Sequence, residues 1–431
     1  MTENQKTKMF DKANISAFLY RNKKGLATLT SIFFGFVLSF IVIAIMGYNP
    51  FDILDGMLKS AFDKFGVWET IQTWALFTIL GLAVAIGFKA GLFNIGVAGQ
   101  MVFGGMAGYL FVFANPDMAP GAMIPLLFII SITAATAFGL VAAVLKAFFG
   151  VHEVITTIML NWVAVKITYS LVQNGNIKSD NGNITSVIPT NLSDSLESMS
   201  KNITWILVAA ILAVIAAFVV LKFTKLGLKI KVSGQSFNAA KYAGYRSKAL
   251  VIGVMGVSAA IAGLAAIAYY FHSSSHVTSS TSVGQTDFSF PPEIGFVGIA
   301  IALIAMNNPI MIVPAAFMFA ILQGNPALRG VDALGVKNLR DIAKLFGAII
   351  VYFVAISNVF IYYLTPRQIK AYFKRIASFY SNDQIKVSTK FGVTLANIFT
   401  LGIYSYARKN WNWVENISKR KETNVKEVAN V

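Results

Sequence analysis

The sequence predicts an all-α, polytopic membrane protein with about ten transmembrane helices and both termini on the cytoplasmic side. Three observations carry that expectation: an apolar composition, a series of long uncharged segments, and Lys/Arg concentrated on segments that fall on one face. Of the 431 residues, 56% are hydrophobic and only 13% are charged, with a mean hydropathy of +0.65. A soluble domain carries roughly 25% charged residues, so a chain this apolar could not cover its own surface. A soluble globular enzyme and a disordered chain are both excluded.

A helix crossing a hydrocarbon core of about 30 Å needs roughly 20 apolar residues. Segments with few or no Asp, Glu, Lys or Arg give ten candidates: about 26–47, 68–88, 94–114, 121–146, 154–173, 203–222, 249–271, 293–306, 309–322 and 345–364. Asn307, Asn308 and Pro309 split one long apolar stretch into two short spans. Backbone polar groups find no water partner in lipid, which makes helices the expected form. The ten-residue alternation of an outer-membrane barrel is missing. The first apolar run is too long for a signal-peptide core and ends at Gly47-Tyr48-Asn49-Pro50 without a small-residue cleavage site, so it reads as a first span.

Charge sets the expected orientation, because Lys/Arg accumulate on the cytoplasmic side. Six lie in residues 1–25, and seven lie in 222–248 with no acid. Twelve follow Thr365 against four acids. Ten spans place all three segments on one face. The segments 48–67, 174–202 and 272–292 then form outer loops. Residues 323–344 fit less well, holding Arg329, Lys337, Arg340 and Lys344 against two Asp on the outer side. The expected organisation is a basic cytoplasmic N-terminus (1–25), a membrane domain (26–364) and a basic C-terminal extension (365–431). The extension holds an uncharged patch, Phe391 to Ala407, then Trp411 and Trp413, and reads as a segment at the inner membrane interface. The net charge of +17 is read as a topology signal facing anionic lipid headgroups, not as a nucleic-acid surface.

Several chemistries are missing from the sequence. No Cys is present, which removes disulfides, thiolate metal sites and a Cys nucleophile. There is no phosphate-binding G-x-x-x-x-G-K-[ST] loop, no H-E-x-x-H and no G-x-S-x-G. His272 and His276 read as ordinary residues of a Ser-rich loop. Ion-coupled carriers tend to keep ionisable groups inside their spans. Here Glu153 and Glu293 lie at span ends, and Lys166 lies within snorkelling reach of an interface. A translocator of this kind takes its energy from elsewhere.

The segment Lys89-Ala-Gly-Leu-Phe-Asn-Ile-Gly-Val-Ala-Gly-Gln100 continues as Met101-Val-Phe-Gly-Gly-Met-Ala-Gly108. Its glycines permit close helix approach or an interrupted helix. Asn94 and Gln100 are neutral hydrogen-bonding groups suited to an uncharged polar solute; they equally suit helix–helix bonding.

This segment resembles the G-L-F-N-I-G-V-E-G-Q-M signature of permease subunits of ABC importers for nucleosides and related simple sugars, in the superfamily of the branched-chain amino acid and ribose permeases. Val151-His-Glu-Val-Ile-Thr-Thr-Ile-Met-Leu-Asn-Trp162 resembles that family's N-E-V-I-S-T-I-M-L-N-Y/W. The segment from Gly227 to Gly244 resembles its G-L-K-I-R-A-V-G-x-N-x-x-A-A-x-Y-A-G, and Gly295 to Pro309 resembles G-F-x-G-I-A-V-A-L-L-G-x-N-x-P. Order and spacing match across about residues 26–364. Ala98 stands where the family has Glu, and His152 where it has Asn.

The resemblance implies a plasma-membrane permease that is not itself an enzyme and binds no cofactor. An extracytoplasmic binding lipoprotein delivers substrate, a second permease subunit completes the path, and cytoplasmic ATPase subunits with ATP and Mg drive alternating access. It implies ATPase coupling through Gln235, Phe237, Ala239, Ala240, Tyr242 and Gly244. There Ser236 caps a helix over Phe237 to Tyr245, the alanines form a small-residue face, and Phe237 and Tyr242 are anchors. For the substrate path the candidates are Phe93, Asn94, Gln100, Asn161 and Asn307, one aromatic with several amides for a flat base and hydroxyls. The alternative is a standalone secondary transporter of a small polar solute. Which nucleoside or sugar, and whether the second permease is identical, are not legible.

Overall fold

The structure, a computed structural model, describes residues 23–174, 205–271, 277–278, 286–287, 291–332 and 339–356. Two compact units divide the chain: residues 1–34 with 353–431, and residues 35–352. Most of the expected outer loop 174–202, His272, His276 and the whole C-terminal extension lie outside the described residues.

The helices in chain order are α1 (Lys23–Ile45), α2 (Pro50–Phe62), α3 (Gly66–Lys89), α4 (Val97–Ala114), α5 (Pro120–Phe149), α6 (Glu153–Asn174), α7 (Trp205–Phe223), α8 (Lys225–Gln235), α9 (Phe237–Tyr242), α10 (Ser247–Tyr270), α11 (Glu293–Ile304), α12 (Pro309–Gln323), α13 (Asn325–Asp332) and α14 (Leu339–Ala355). Two residues, Val277 and Thr278, bridge in parallel to Thr286 and Asp287, and the other described secondary structure is helical. The described parts of the ten segments expected to span fall largely in apolar helices, although the number that cross is not thereby fixed at ten. Among the described residues, seven of these helices, and the run Pro309–Asp332 that joins α12 to α13, are long and apolar enough to cross a bilayer; Glu293–Ile304 and Lys344–Val354 are shorter. The chain is therefore an α-helical, polytopic membrane protein.

Within the first unit the start of α1 is described. Ser31 Oγ–H donates to the Ala27 carbonyl at 2.8 Å, which satisfies the hydroxyl inside its own helix. Phe33 and Phe34 meet edge to face, centroids 5.8 Å apart.

The second unit is built around α3, whose middle, Ala75 to Gly87, is buried on all sides. A helix apolar all round belongs in the middle of a bundle. It packs against α10, α11, α12 and α7, while α5 packs along α10 and α4. Small residues let the backbones close in, as membrane helices require where no hydrophobic force separates them from lipid. A Cβ on Gly263 of α10 would stand 2.7 Å from the Ile132 Cα of α5. Trp74 of α3 donates its indole N–H to the Val313 carbonyl of α12 at 2.8 Å and meets Phe317 edge on.

Two breaks interrupt the bundle. Between α3 and α4 the chain turns at Ala90–Gly96. Between α11 and α12 it turns at Ala305–Asn308, where Met306 and Asn307 take φ values of 50° and 57°. α11 has 12 residues, about 18 Å of helix, which is too short to cross a core of about 30 Å. Glu293 at its start pairs with Lys344 near the start of α14 at 2.8 Å, and Gln323 at the end of α12 donates to the Lys344 carbonyl at 3.3 Å. So α11 and α12 form a hairpin whose two open ends lie together. Two of the basic residues in 323–344 are paired: Lys344 with Glu293, and Arg329 with Glu69 at 2.9 Å.

The segment 48–67, expected as a loop, is mostly the helix α2. Asn49 starts it by accepting the Phe51 N–H on Oδ1 at 3.0 Å, with Pro50 at the first helical position. Its buried residues Ile53 and Met57 join Ile43, Leu328, Val331 and Phe346 in one cluster, so the helix is held by tertiary packing against α13 and α14. The expected span 345–364 is helical to Ala355, and residues 357–364 lie outside the described residues.

Gly81 is where α3 admits both arms of the hairpin: a Cβ there would lie 2.6 Å from Ile301 and 3.1 Å from Ile312 side-chain carbons. The Gly81→Val variant is expected to lose about 1–3 kcal/mol through overpacking, read as a lower midpoint of thermal unfolding in detergent. Gly253→Ala, inside α10 where a Cβ meets nothing within 4 Å, is expected to keep or raise that midpoint.

Candidate functional site: the broken helix between α3 and α4

The chain leaves α3 at Lys89 and does not run out into solvent. Gly91, at φ +73°, turns it, and the Leu92 N–H bonds back to the Gly87 carbonyl at 3.0 Å. A positive φ here favours glycine because a Cβ is disfavoured in the left-handed region. Leu92 and Asn94 are buried, and Asn94 lies beside Gly87, so residues 92–96 re-enter the bundle in a non-helical conformation. Each backbone group there needs a protein partner.

Four polar side chains supply those partners. Asn94 accepts the Gly96 N–H on Oδ1 at 2.9 Å and donates Nδ2 to Ser258 of α10 at 2.8 Å. Ser258 passes the chain on by donating to the Ala83 carbonyl of α3 at 2.6 Å. Gln100 faces Asn94 amide to amide, at 3.2 and 3.3 Å. Asn161 of α6 accepts the Gly99 N–H at 2.8 Å and donates to the Ile95 carbonyl at 3.1 Å. All of Asn94, Gln100, Asn161 and Ser258 are at most 2% exposed. The network binds α3, α4, α6 and α10 at one point.

Of the five residues expected on a substrate path, the structure gathers Asn94, Gln100 and Asn161 into this network and occupies their polar atoms with protein partners. Phe93 is at the same break but partly exposed, its ring 4.4 Å from that of Phe88. Asn307 lies apart, at the turn of the α11–α12 hairpin. Its Oδ1 is buried and has no hydrogen-bond partner among the described residues, which distinguishes it from the other amides. Ser258 went unmarked in the sequence, because a lone Ser inside a Gly/Ala-rich span carries no pattern.

The departure at Ala98 falls at a helix contact. A Cβ on Gly295 of α11 would stand 2.7 Å from the Ala98 Cα and Cβ, and Ala98 is fully buried. His152, the other departure, accepts the Val154 N–H at 3.3 Å, and Lys146 meets the neighbouring Glu153 at 2.7 Å where α5 turns into α6. Lys166 faces outward from the bundle, its ammonium 5.9 Å from the Tyr169 ring centre.

The basic connection 224–246 forms two short helices. Thr224 caps α8 by accepting the Gly227 N–H at 3.2 Å. The helix expected from Phe237 to Tyr245 ends at Tyr242. Gly244 takes φ +77°, and the Tyr245 N–H turns back to the Ala240 carbonyl at 3.1 Å. Of the residues expected to couple to an ATPase, Ala240 is buried within the chain, whereas Tyr242 is 93% exposed and Gln235 and Gly244 are exposed. The side chains of Phe237 and Ala239 lie outside the described residues.

A polytopic helical bundle with two helix breaks is an architecture in which membrane transporters place their solute sites. The chain belongs to the branched-chain amino acid transport system / permease component family, whose model matches residues 67–355. It is 33% identical over 349 residues to the nucleoside ABC transporter permease protein NupB of Lactococcus lactis subsp. cremoris, covering 78% of this chain and 92% of that one. It is 30% identical over 343 residues to the guanosine ABC transporter permease protein NupP of Bacillus subtilis, covering 77% and 93%. With the glucose ABC transporter permease protein TsgB13 of Haloferax volcanii it shares 28% identity over 326 residues, 71% of this chain and 82% of that one. No solved structure matches the chain. The protein is a multi-pass cell-membrane permease component of that family.

Asn161→Ala is expected to strand the Gly99 N–H and the Ile95 carbonyl without partners. Each buried orphan costs about 1–3 kcal/mol, so detergent-solubilised protein should unfold at a clearly lower temperature, and Ser258→Ala by a smaller amount.

Proposed function

We propose that this chain translocates nucleosides inward as one permease subunit of an importer energised by ATP hydrolysis on separate cytoplasmic subunits, with substrate handed over by an extracytoplasmic binding protein. The single observation that carries the substrate class is the 33% identity, over 92% of its length, to a permease named for nucleosides. The similarity to a guanosine permease supports the same class. The similarity to a glucose permease adds another relative named for a neutral, hydroxyl-bearing solute.

In this reading the two broken helices divide the work. The Asn94–Gln100–Asn161–Ser258 network holds the α3–α4 break rigid. Phe93 and Asn307 meet the solute: Phe93 offers a partly exposed ring to stack on a base, and Asn307 offers a free carbonyl to a hydroxyl or an exocyclic N–H. The basic connection 222–248 faces the cytoplasm by the charge rule, and α8 and α9 dock the ATPase there. Tyr242 is the anchor, an exposed aromatic next to Lys241 in sequence. A second permease subunit completes the path.

Uptake by proteoliposomes tests this. With ATPase subunits, binding protein and internal ATP, tritiated guanosine or uridine should accumulate. Accumulation by this chain alone, driven by an ion gradient, would establish a secondary transporter instead. Tyr242→Ala is expected to weaken ATPase co-purification by about tenfold or more, as loss of a hot-spot aromatic of 2 kcal/mol or above does, with the unfolding midpoint unchanged. Because the chain has no Cys, Lys231→Cys should react with an impermeant maleimide only from the cytoplasmic side, and Asp55→Cys only from outside.

A further inference from the structure

The last turn of α8 ends against the α3–α4 break with no side chain between the two backbones. A Cβ on Gly234 would overlap the Lys89 carbonyl oxygen, and would stand 3.0 Å from the Lys89 carbonyl carbon and 3.1 Å from the Gly91 nitrogen. From the other side, a Cβ on Gly91 would stand 3.2 Å from the Gly234 Cα and 3.3 Å from its oxygen. Gly91 is also the residue whose positive φ turns the chain back into the bundle. One glycine is thus needed for the turn, and the other lets the basic connection reach that turn.

A backbone-to-backbone contact has no rotamers with which to absorb motion. Packed groups in van der Waals contact transmit displacement. What moves α8 therefore moves residues 89–91, and the next fixed point along the chain is Asn94, bonded to α10 through Ser258 and to α4 through Gln100 and Gly96.

We propose that the Gly91–Gly234 contact is a rigid joint that carries movement of the α8–α9 connection into the broken helix, making Gly234 a positioning residue for transport. The joint rests on the importer reading above, since an ATPase is what would move the connection. Its function is to reset the Asn94 network, and with it the path, without itself touching substrate or ATPase.

The test uses the full chain assembled with its ATPase subunits and binding protein in proteoliposomes. Uptake of tritiated guanosine and uridine is measured beside ATP hydrolysis on the same vesicles. Parent uptake that requires ATP establishes the importer reading by itself; if parent uptake does not need ATP, that reading fails whatever Gly234 does. With the parent active, Gly234→Ala is expected to keep ATPase association and hydrolysis while lowering uptake by about tenfold or more, because an ångström-scale misplacement of a working element costs up to about 100-fold. Unchanged uptake, or uptake and hydrolysis falling in equal proportion, overturns the joint. A second arm holds even if Gly234→Ala does not assemble. Cysteines replacing Lys89 and Ser236 are the only thiols in the chain and can be tethered by a short bismaleimide. Uptake equal before and after tethering is the expected result, because the two backbones move together. Uptake lost on tethering shows that they slide past each other and overturns the proposal.

Discussion

The structure depends on one constraint: in a bilayer every backbone N–H and C=O must find its partner inside the protein. Continuous helices meet that demand without help, and most of this chain consists of them. The two places where helix geometry is abandoned are therefore the costly ones. At Ala90–Gly96 the cost is offset by side chains imported from elsewhere, Asn161 from α6 and Ser258 from α10, so the break is also the point where four helices are tied together. At Ala305–Asn308 the solution is local. Asn307 N–H returns to the Ala302 carbonyl at 2.8 Å, and Asn308 caps α12 by accepting the Ile310 N–H at 3.2 Å, which leaves the Asn307 side-chain carbonyl free.

That difference gives the amides different roles. A buried amide whose donors and acceptors are filled fixes geometry, and breaking it strands its partners. An amide with a buried, open acceptor is available to a ligand. The five path candidates look alike in sequence, three Asn, one Gln and one Phe in glycine-rich surroundings, yet only Asn307 and Phe93 keep an unfilled surface. The glycines divide in the same way. Gly81, Gly263 and Gly295 admit neighbouring helices, whereas Gly91 and Gly234 admit one backbone to another at the edge of the bundle.

Much of the fold was legible because span length and hydropathy are local properties. Among the described residues the apolar segments reappear as helices, seven of them and the run Pro309–Asp332 long enough to span. What length could not show was how two short segments are used. α11 and α12 read as two spans, and their ends are brought together by Glu293, Lys344 and Gln323, residues up to 51 positions apart. The helix α2 was missed because its mixed charges and one buried face read as a loop when counted by net charge; its apolar face has meaning only against α13 and α14. The α9 helix was read three residues too long because Gly244 ends it from within.

From sequence alone came the membrane setting, the helical class and the family resemblance, since each follows from composition or from motifs contiguous along the chain. Motif order also located the break at 90–96, because Gly and Asn in an apolar run mark a departure from helix. Tertiary structure alone decided which polar groups are filled and which remain open, that Ala240 faces inward while Tyr242 faces outward, and that Gly234 meets Gly91 across 143 positions of sequence. Those are questions of partner and distance, and the partners come from helices that the chain order leaves far apart.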